Sequence, residues 1–131
     1  MSTKMAQNRV LIVEDEISIA KMIAMNLKVA GYETRMFHDG REAAEALEEE
    51  RAYDIALLDV MLPGMDGFSL FEIVRSYEIP VIFLTAKDDI NSKIQGLQGG
   101  AEDYIVKPFD MLELMVRMEK VLERTKKLSD V

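Results

Sequence analysis

The sequence predicts an α/β protein, a doubly wound sheet of five parallel strands in (βα)5 arrangement with strand order 2-1-3-4-5. Three observations carry this. Five short β-rich runs alternate with five helical segments along the 131 residues. The clearest runs are continuously apolar rather than alternating, as in strands buried on both faces. Each strand reaches the next through a helix, which forces parallel pairing, and right-handed crossovers leave few topologies.

The first run is Val10–Val13, interrupted by Glu14-Asp15-Glu16. From Ile17 to Val29, apolar Ile19, Met22, Ile23, Met25 and Leu27 fall at helical spacing, and Gly31 supplies a C-terminal cap. Thr34–Phe37 reads as the second strand. Asp39 or Gly40 opens a second helix holding Ala43, Ala44, Ala46 and Leu47. Asp54–Leu58 is the third strand, ending at Asp59; Pro63-Gly64 and Asp66-Gly67 mark a loop before a third helix, Phe68–Val74. Pro80 opens the fourth strand, Val81–Leu84, which ends at Thr85. Asp88 or Asp89 caps a fourth helix reaching about Leu97, and Gly99-Gly100 terminates it. Tyr104–Val106 is a short fifth strand ending at Lys107. A fifth helix runs from about Asp110 to Arg124, with apolar Leu112, Met115, Val116 and Val121. Met22, Met25, Met115 and Met118 read as core filling. The expected organisation is a tail over 1–8, one domain over 9–125, and a tail or the start of a linker over 126–131.

Composition narrows the function. A net charge of -8 argues against a nucleic-acid surface on this segment, which would need clustered Lys and Arg. The run Glu48-Glu49-Glu50 is a solvated face. There is no cysteine, so neither disulfides nor thiolate metal sites arise. No apolar run is long enough to span a membrane, and Met1–Asn8 lacks the apolar core of a signal peptide; a cytoplasmic location is expected. Neither GxxxxGK[ST] nor GxGxxG occurs, which leaves nucleotide binding without support.

The informative pattern is at the strand ends. Strand one ends in Glu14-Asp15, strand three in Asp59, strand four in Thr85 and strand five in Lys107. In an open parallel sheet the C-terminal ends share one edge, and ligands bind there near the reversal of strand order. Three clustered carboxylates call for a cation, and hard oxygen ligands suit Mg²⁺ or Mn²⁺ better than zinc. One carboxylate can then act as a nucleophile, making an acyl phosphate, with Lys107 as a point charge on phosphate oxygens and Thr85 as a hydroxyl donor. Alone, Glu14-Asp15 reads as a helix N-terminal signal, Thr85 or Lys107 as a surface residue; the conjunction is what points to chemistry. The lone histidine, His38, reads as a turn residue rather than a catalytic base.

With these residues placed, the chain from about Arg9 to Arg124 resembles the two-component response-regulator receiver domains, which share the flavodoxin-like (CheY-like) fold. The resemblance rests on VLIVEDE (Glu14, Asp15), DVMLPGMDG (Asp59, Pro63, Gly64, Gly67), LTA (Thr85, Ala86) and YIVKPF (Lys107, Pro108). It implies phosphorylation of Asp59 by a sensor histidine kinase, with Mg²⁺ held by Glu14 or its water, Asp15, Asp59 and the Met61 main-chain carbonyl. It also implies a switch in which Thr85 and the aromatic Tyr104 move, a cis Lys107–Pro108 bond, and Met61 and Lys87 at positions that tune dephosphorylation.

The stretch KIQGLQGGAEDYIVKPFDMLELMVRMEKVLER is similar, more narrowly, to the OmpR/PhoB-like transcription regulators. That likeness implies a symmetric homodimer on phosphorylation through the face of the fourth helix, fifth strand and fifth helix. Lys93 with Glu113, and Glu102 or Asp103 with Arg117, fall at the matching places, whereas Gln98 and Glu119 match less well. DNA binding would then belong to a C-terminal domain absent from this chain; a stand-alone receiver acting by protein–protein contact is the alternative. A self-phosphorylating switch is expected rather than a turnover enzyme. Phosphatases with an aspartyl nucleophile carry a second acid two residues on, and here Val60 and Met61 follow Asp59. A degenerate receiver that only binds partners is disfavoured by the intact Glu14, Asp15, Asp59, Thr85 and Lys107.

Overall fold

A computed structural model describes residues 8–86 and 99–129, with the side chains described as far as 126. The elements are β1 (Arg9–Val13), α1 (Ile17–Val29), β2 (Glu33–Phe37), α2 (Gly40–Leu47), β3 (Ile55–Asp59), α3 (Gly67–Ser76), β4 (Val81–Ala86), β5 (Asp103–Lys107) and a C-terminal helix (Met111–Ser129). The five strands pair in parallel in the order β2-β1-β3-β4-β5, as expected. The expected fourth helix lies outside the described residues.

Successive strand residues face opposite sides of the sheet, and the core divides accordingly. Leu11, Val13, Ala56, Leu58, Val81 and Phe83 face α2 and α3, where Ala43, Leu47, Leu70, Phe71 and Val74 cover them. Val10, Ile12, Ile55, Leu57, Ile82, Leu84 and Ile105 face α1 and the C-terminal helix, against Ala20, Ile23, Leu27, Leu114, Met118 and Val121. Each fully buried aliphatic side chain contributes on the order of 1.5–3 kcal/mol. A sheet covered on both sides can place its polar residues only at its edges and ends.

The expected helix faces need correction. Met118 is buried and Met115 packs against the core, but Met25 is 67% exposed and Met22 is 41% exposed. The buried stripe of α1 is Ala20, Ile23 and Leu27, at spacings of three and four; Met22 and Met25 fall beside that stripe. Leu112 and Val116 likewise project outward, because Leu114, Met118 and Val121 form the inward stripe of the C-terminal helix.

Several boundaries shift. The third strand starts at Ile55, not Asp54, and includes Asp59. Asp54 instead accepts the Arg9 main-chain N–H through Oδ2 at 2.7 Å. The third helix starts one residue early, at Gly67, because Asp66 caps it: its Oδ1 accepts from Phe68 and Ser69 N–H at 3.0 Å each. Asp39 caps α2 in the same way, through Arg41 N–H at 2.8 Å and Glu42 N–H at 3.1 Å. The C-terminal helix runs on to Ser129. Gly31, φ 98°, sits just past the end of α1, and Lys107–Pro108 is cis.

Candidate functional site

Strand register brings the expected residues to one edge. β1 and β3 lie side by side with Val13 opposite Leu58, so Glu14 and Asp59 follow at adjacent strand ends. Asp59 is level with Leu84 on β4, one residue before Thr85, and Lys107 is level with Ala86. Glu14, Asp59 and Thr85 are the buried polar residues among those described. Carboxylate oxygens of Glu14, Asp15 and Asp59 lie within 4.8 Å of one another. An open cleft of about 430 Å³ reaches them, lined by Asp15, Asp59, Met61, Ala86, Lys107 and Pro108 among others.

Lys107 closes the set. Its ammonium lies 2.5 Å from Glu14 Oε1 and donates to Asp59 Oδ2 at 3.1 Å. The Glu14 contact is ionic without hydrogen-bonding angles, and Glu14 Oε1, although buried, has no hydrogen-bond partner among the described residues. The second Glu14 oxygen accepts Glu16 N–H at 3.0 Å. Neither Asp15 nor another side chain caps α1. Asp59 Oδ1 accepts Met61 N–H at 3.1 Å, which curls the chain so that Met61 borders the cleft.

Burial dominates the electrostatics. It pushes the Glu14 carboxyl up to about 7, and the neighbouring Asp59 adds to the rise. Burial also raises Asp59, against the pull of neighbouring Glu14 and the pairing with Lys107. For Lys107 burial disfavours the charge, yet pairing with the two acids wins and the ammonium is held more firmly than usual. Two buried carboxyls facing one ammonium leave a surplus of negative charge. A buried carboxylate oxygen that is ion-paired but accepts no hydrogen bond among the described residues, in an all-oxygen donor set, fits a hard divalent cation.

The remaining side chains differ in standing. Thr85 is buried and its hydroxyl donates only a long 3.5 Å bond, to the Ala86 carbonyl. Tyr104 lies opposite Phe83 on β5, half-buried against the α2–α3 side of the core. Gly67 packs so closely that an added Cβ would strike the Asp59 carbonyl and sit 2.7 Å from Val60 Cα.

Of the expected dimer-face residues, Asp103 and Glu113 both pair with Arg117 inside this chain. Arg117 Nη1 reaches the two Asp103 oxygens at 3.1 and 3.0 Å, and Nη2 reaches Glu113 at 3.2 Å. Glu102 pairs instead with Arg124 at 3.1 Å, a bond sequence reasoning missed. Exposed Leu112 and Val116 lie beside this cluster. Lys93, Lys87 and Gln98 lie outside the described residues. His38 occupies a turn as expected, but it also contacts the Glu14 main-chain carbonyl at 3.0 Å.

Fold and site together define a doubly wound α/β domain with an acid–lysine pocket at its carboxyl edge. The chain belongs to the response regulator receiver domain family, whose profile matches residues 10–119. It is 42% identical over 120 residues to the transcriptional regulatory protein PcoR of Escherichia coli, covering 90% of this chain and 53% of that one. It is 44% identical over 117 residues to the transcriptional activator protein IrlR of Burkholderia pseudomallei, covering 88% and 51%. The chain thus spans about half the length of the curated relatives it matches. Among solved structures it is similar to the Francisella response regulator 1452 receiver domain, with TM-score 0.81, 37% identity and coverage of 91% and 99%. It is similar also to the chemotaxis response regulator CheY4 of Vibrio cholerae, with TM-score 0.80, 35% identity and coverage of 88% and 99%. Among the described residues no helix is long and apolar enough to cross a membrane.

Proposed function

We propose that this domain is a phosphorylation-driven switch in which Asp59 accepts a phosphoryl group from a sensor histidine kinase. The gathering of Glu14, Asp15 and Asp59 oxygens within 4.8 Å, with Lys107 against two of them, is the observation that supports this best. Glu14, Asp15, Asp59 and the Met61 carbonyl would hold Mg²⁺, or Mn²⁺ in its place. Such a cation, when bound, neutralises charge on the transferring group. An Asp59 oxygen attacks phosphorus, the bond from phosphorus to the donor breaks, and the donor leaves with the electron pair. Lys107, released from its pairing with Asp59, becomes available to the phosphoryl oxygens. Among the described residues the Thr85 hydroxyl has only a 3.5 Å bond to lose, so donating to the phosphate costs it little.

Tyr104 would follow Thr85 as the second moving part, shifting a two-state equilibrium. The switch modifies itself rather than turning over a substrate, and it works in the cytoplasm. Relatives about twice as long and named as transcription regulators support an OmpR/PhoB-like regulator, in which phosphorylation promotes an isologous homodimer. The face around Leu112, Glu113, Val116 and Arg117 is the surface for it, and DNA would be bound by another domain. A stand-alone receiver acting through protein contacts is the second reading, supported by the CheY4 likeness. The test is phosphoryl uptake from acetyl phosphate with and without Mg²⁺. Wild type takes up one group only with the metal, and Asp59→Asn takes up none; equal uptake by Asp59→Asn removes the proposal.

A further inference from the structure

We infer that His38 is a positioning residue for the Glu14–Asp15 acid pair, acting through the Glu14 main-chain carbonyl; this rests on reading those acids as cation ligands. His38 Nδ1 lies 3.0 Å from that oxygen. A carbonyl oxygen can only accept, so Nδ1 carries the hydrogen and donates. One residue before, the Phe37 carbonyl accepts Glu14 N–H at 3.0 Å. β1 and β2 end paired at Val13 and Phe37. The imidazole therefore continues their pairing one step beyond the strands, with a side chain where a main-chain N–H would otherwise be needed.

The consequence concerns one peptide plane. The Glu14 carbonyl belongs to the planar unit that joins Glu14 to Asp15. Fixing that oxygen fixes the direction in which Asp15, exposed and outside any regular element, leaves the sheet. Glu14 is then tied at its N–H by Phe37, at its carbonyl by His38 and at Oε2 by Glu16 N–H, leaving Oε1 toward Lys107. The same turn braces the loop after Asp59. Gly40 N–H donates to the Pro63 carbonyl at 3.0 Å, and a Cβ on Gly40 would collide with the Met65 carbonyl. Residues 38–40 thus brace both loops that carry the ligands, His38 doing so through its imidazole at the Glu14 carbonyl.

The experiment titrates MgCl₂ into wild type, His38→Asn, His38→Phe and His38→Ala, following amide NMR shifts of Glu14–Glu16, with thermal melts beside them. Nitrogen NMR of the metal-free wild type reads whether Nδ1 bears the hydrogen. The Asn amide can donate from nearly the same place, while Phe keeps the ring's bulk and lacks the donor. Asn should stay close to wild type, and Phe and Ala should bind Mg²⁺ about tenfold more weakly, the low end for groups that orient metal ligands. Affinities for Phe equal to wild type, or a bare Nδ1, would overturn the assignment while leaving the cation site standing. Absence of Mg²⁺ binding by wild type itself would overturn the cation site and His38's role together.

Discussion

Lys107 Nζ donates to Asp59 Oδ2 at 3.1 Å, joining two residues 48 positions apart in the chain. The same ammonium touches Glu14, so one cation serves two buried acids. The lysine thereby occupies the electrostatic role that a bound metal would share.

Replacing it exposes that role. Lys107→Met leaves Glu14 and Asp59 buried without a counter-charge, and breaking such a pair costs about 3 kcal/mol. Urea unfolding near neutral pH should show that loss in metal-free protein, and millimolar Mg²⁺ should recover a large part of it. An unchanged midpoint would mean that the contacts carry no net stability.

The pH dependence follows from Glu14. Burial pushes its carboxyl up to about 7, above the ordinary 4.5. The folded state then holds the proton more tightly than the unfolded chain does. This group's contribution is full below the ordinary value and is lost as pH rises through about 7. Metal-free protein should therefore gain stability from this group as pH falls from about 8 toward about 5, and Mg²⁺ should bind more weakly over the same descent, since proton and cation compete. The Lys107 shift is upward from an already high value, so it leaves that window alone. Denaturant midpoints with and without Mg²⁺ measure both trends; a metal-free midpoint that rises with pH contradicts them.

Gly67 holds Asp59 in place by its own smallness. A methyl group there meets main-chain atoms of Asp59 and Val60, which cannot step aside as a side chain could. Gly67→Ala should cost about 1–3 kcal/mol by overpacking. It should also slow phosphoryl uptake by more than a distant substitution of equal stability cost, as a matched pair of variants in an acetyl phosphate time course would reveal.

Sequence legibility followed the physics of each feature. Strand order and the meeting of Glu14, Asp15, Asp59, Thr85 and Lys107 at one edge were readable, because buried parallel strands leave polar residues only at their ends. The outward turn of Met25 and Leu112 was not. A spacing of three or four admits neighbouring stripes, and only packing against the sheet selects the one with Ala20, Ile23 and Leu27. Long-range pairings were hidden for another reason. His38 with the Glu14 carbonyl and Arg124 with Glu102 depend on distances that exist only after closure of the fold. The Arg117–Asp103 pair was foreseen in its members, as a feature of a dimer face, and lies within one chain.

Glu78 stores a small strain away from the site. It has φ 62° just after α3, a left-handed position where glycine is the usual occupant. Glu78→Gly should raise stability by about 0.5–1 kcal/mol, the left-handed penalty less the added freedom of the unfolded chain. Chemical denaturation reads this, and Mg²⁺ affinity should not move, since Glu78 sits at the opposite end of β4 from Thr85.

The claim that Asp59 is the acceptor is tested most directly by reductive trapping. The phosphorylated protein, prepared with acetyl phosphate and Mg²⁺, is treated with borohydride, which reduces an acyl phosphate and marks its carbon. Peptide mass mapping then locates the mark. A reduced side chain is expected at position 59, with no mark after Asp59→Asn or without Mg²⁺. A mark at Asp15, Asp66 or another acid, or an equal mark in Asp59→Asn, would contradict it.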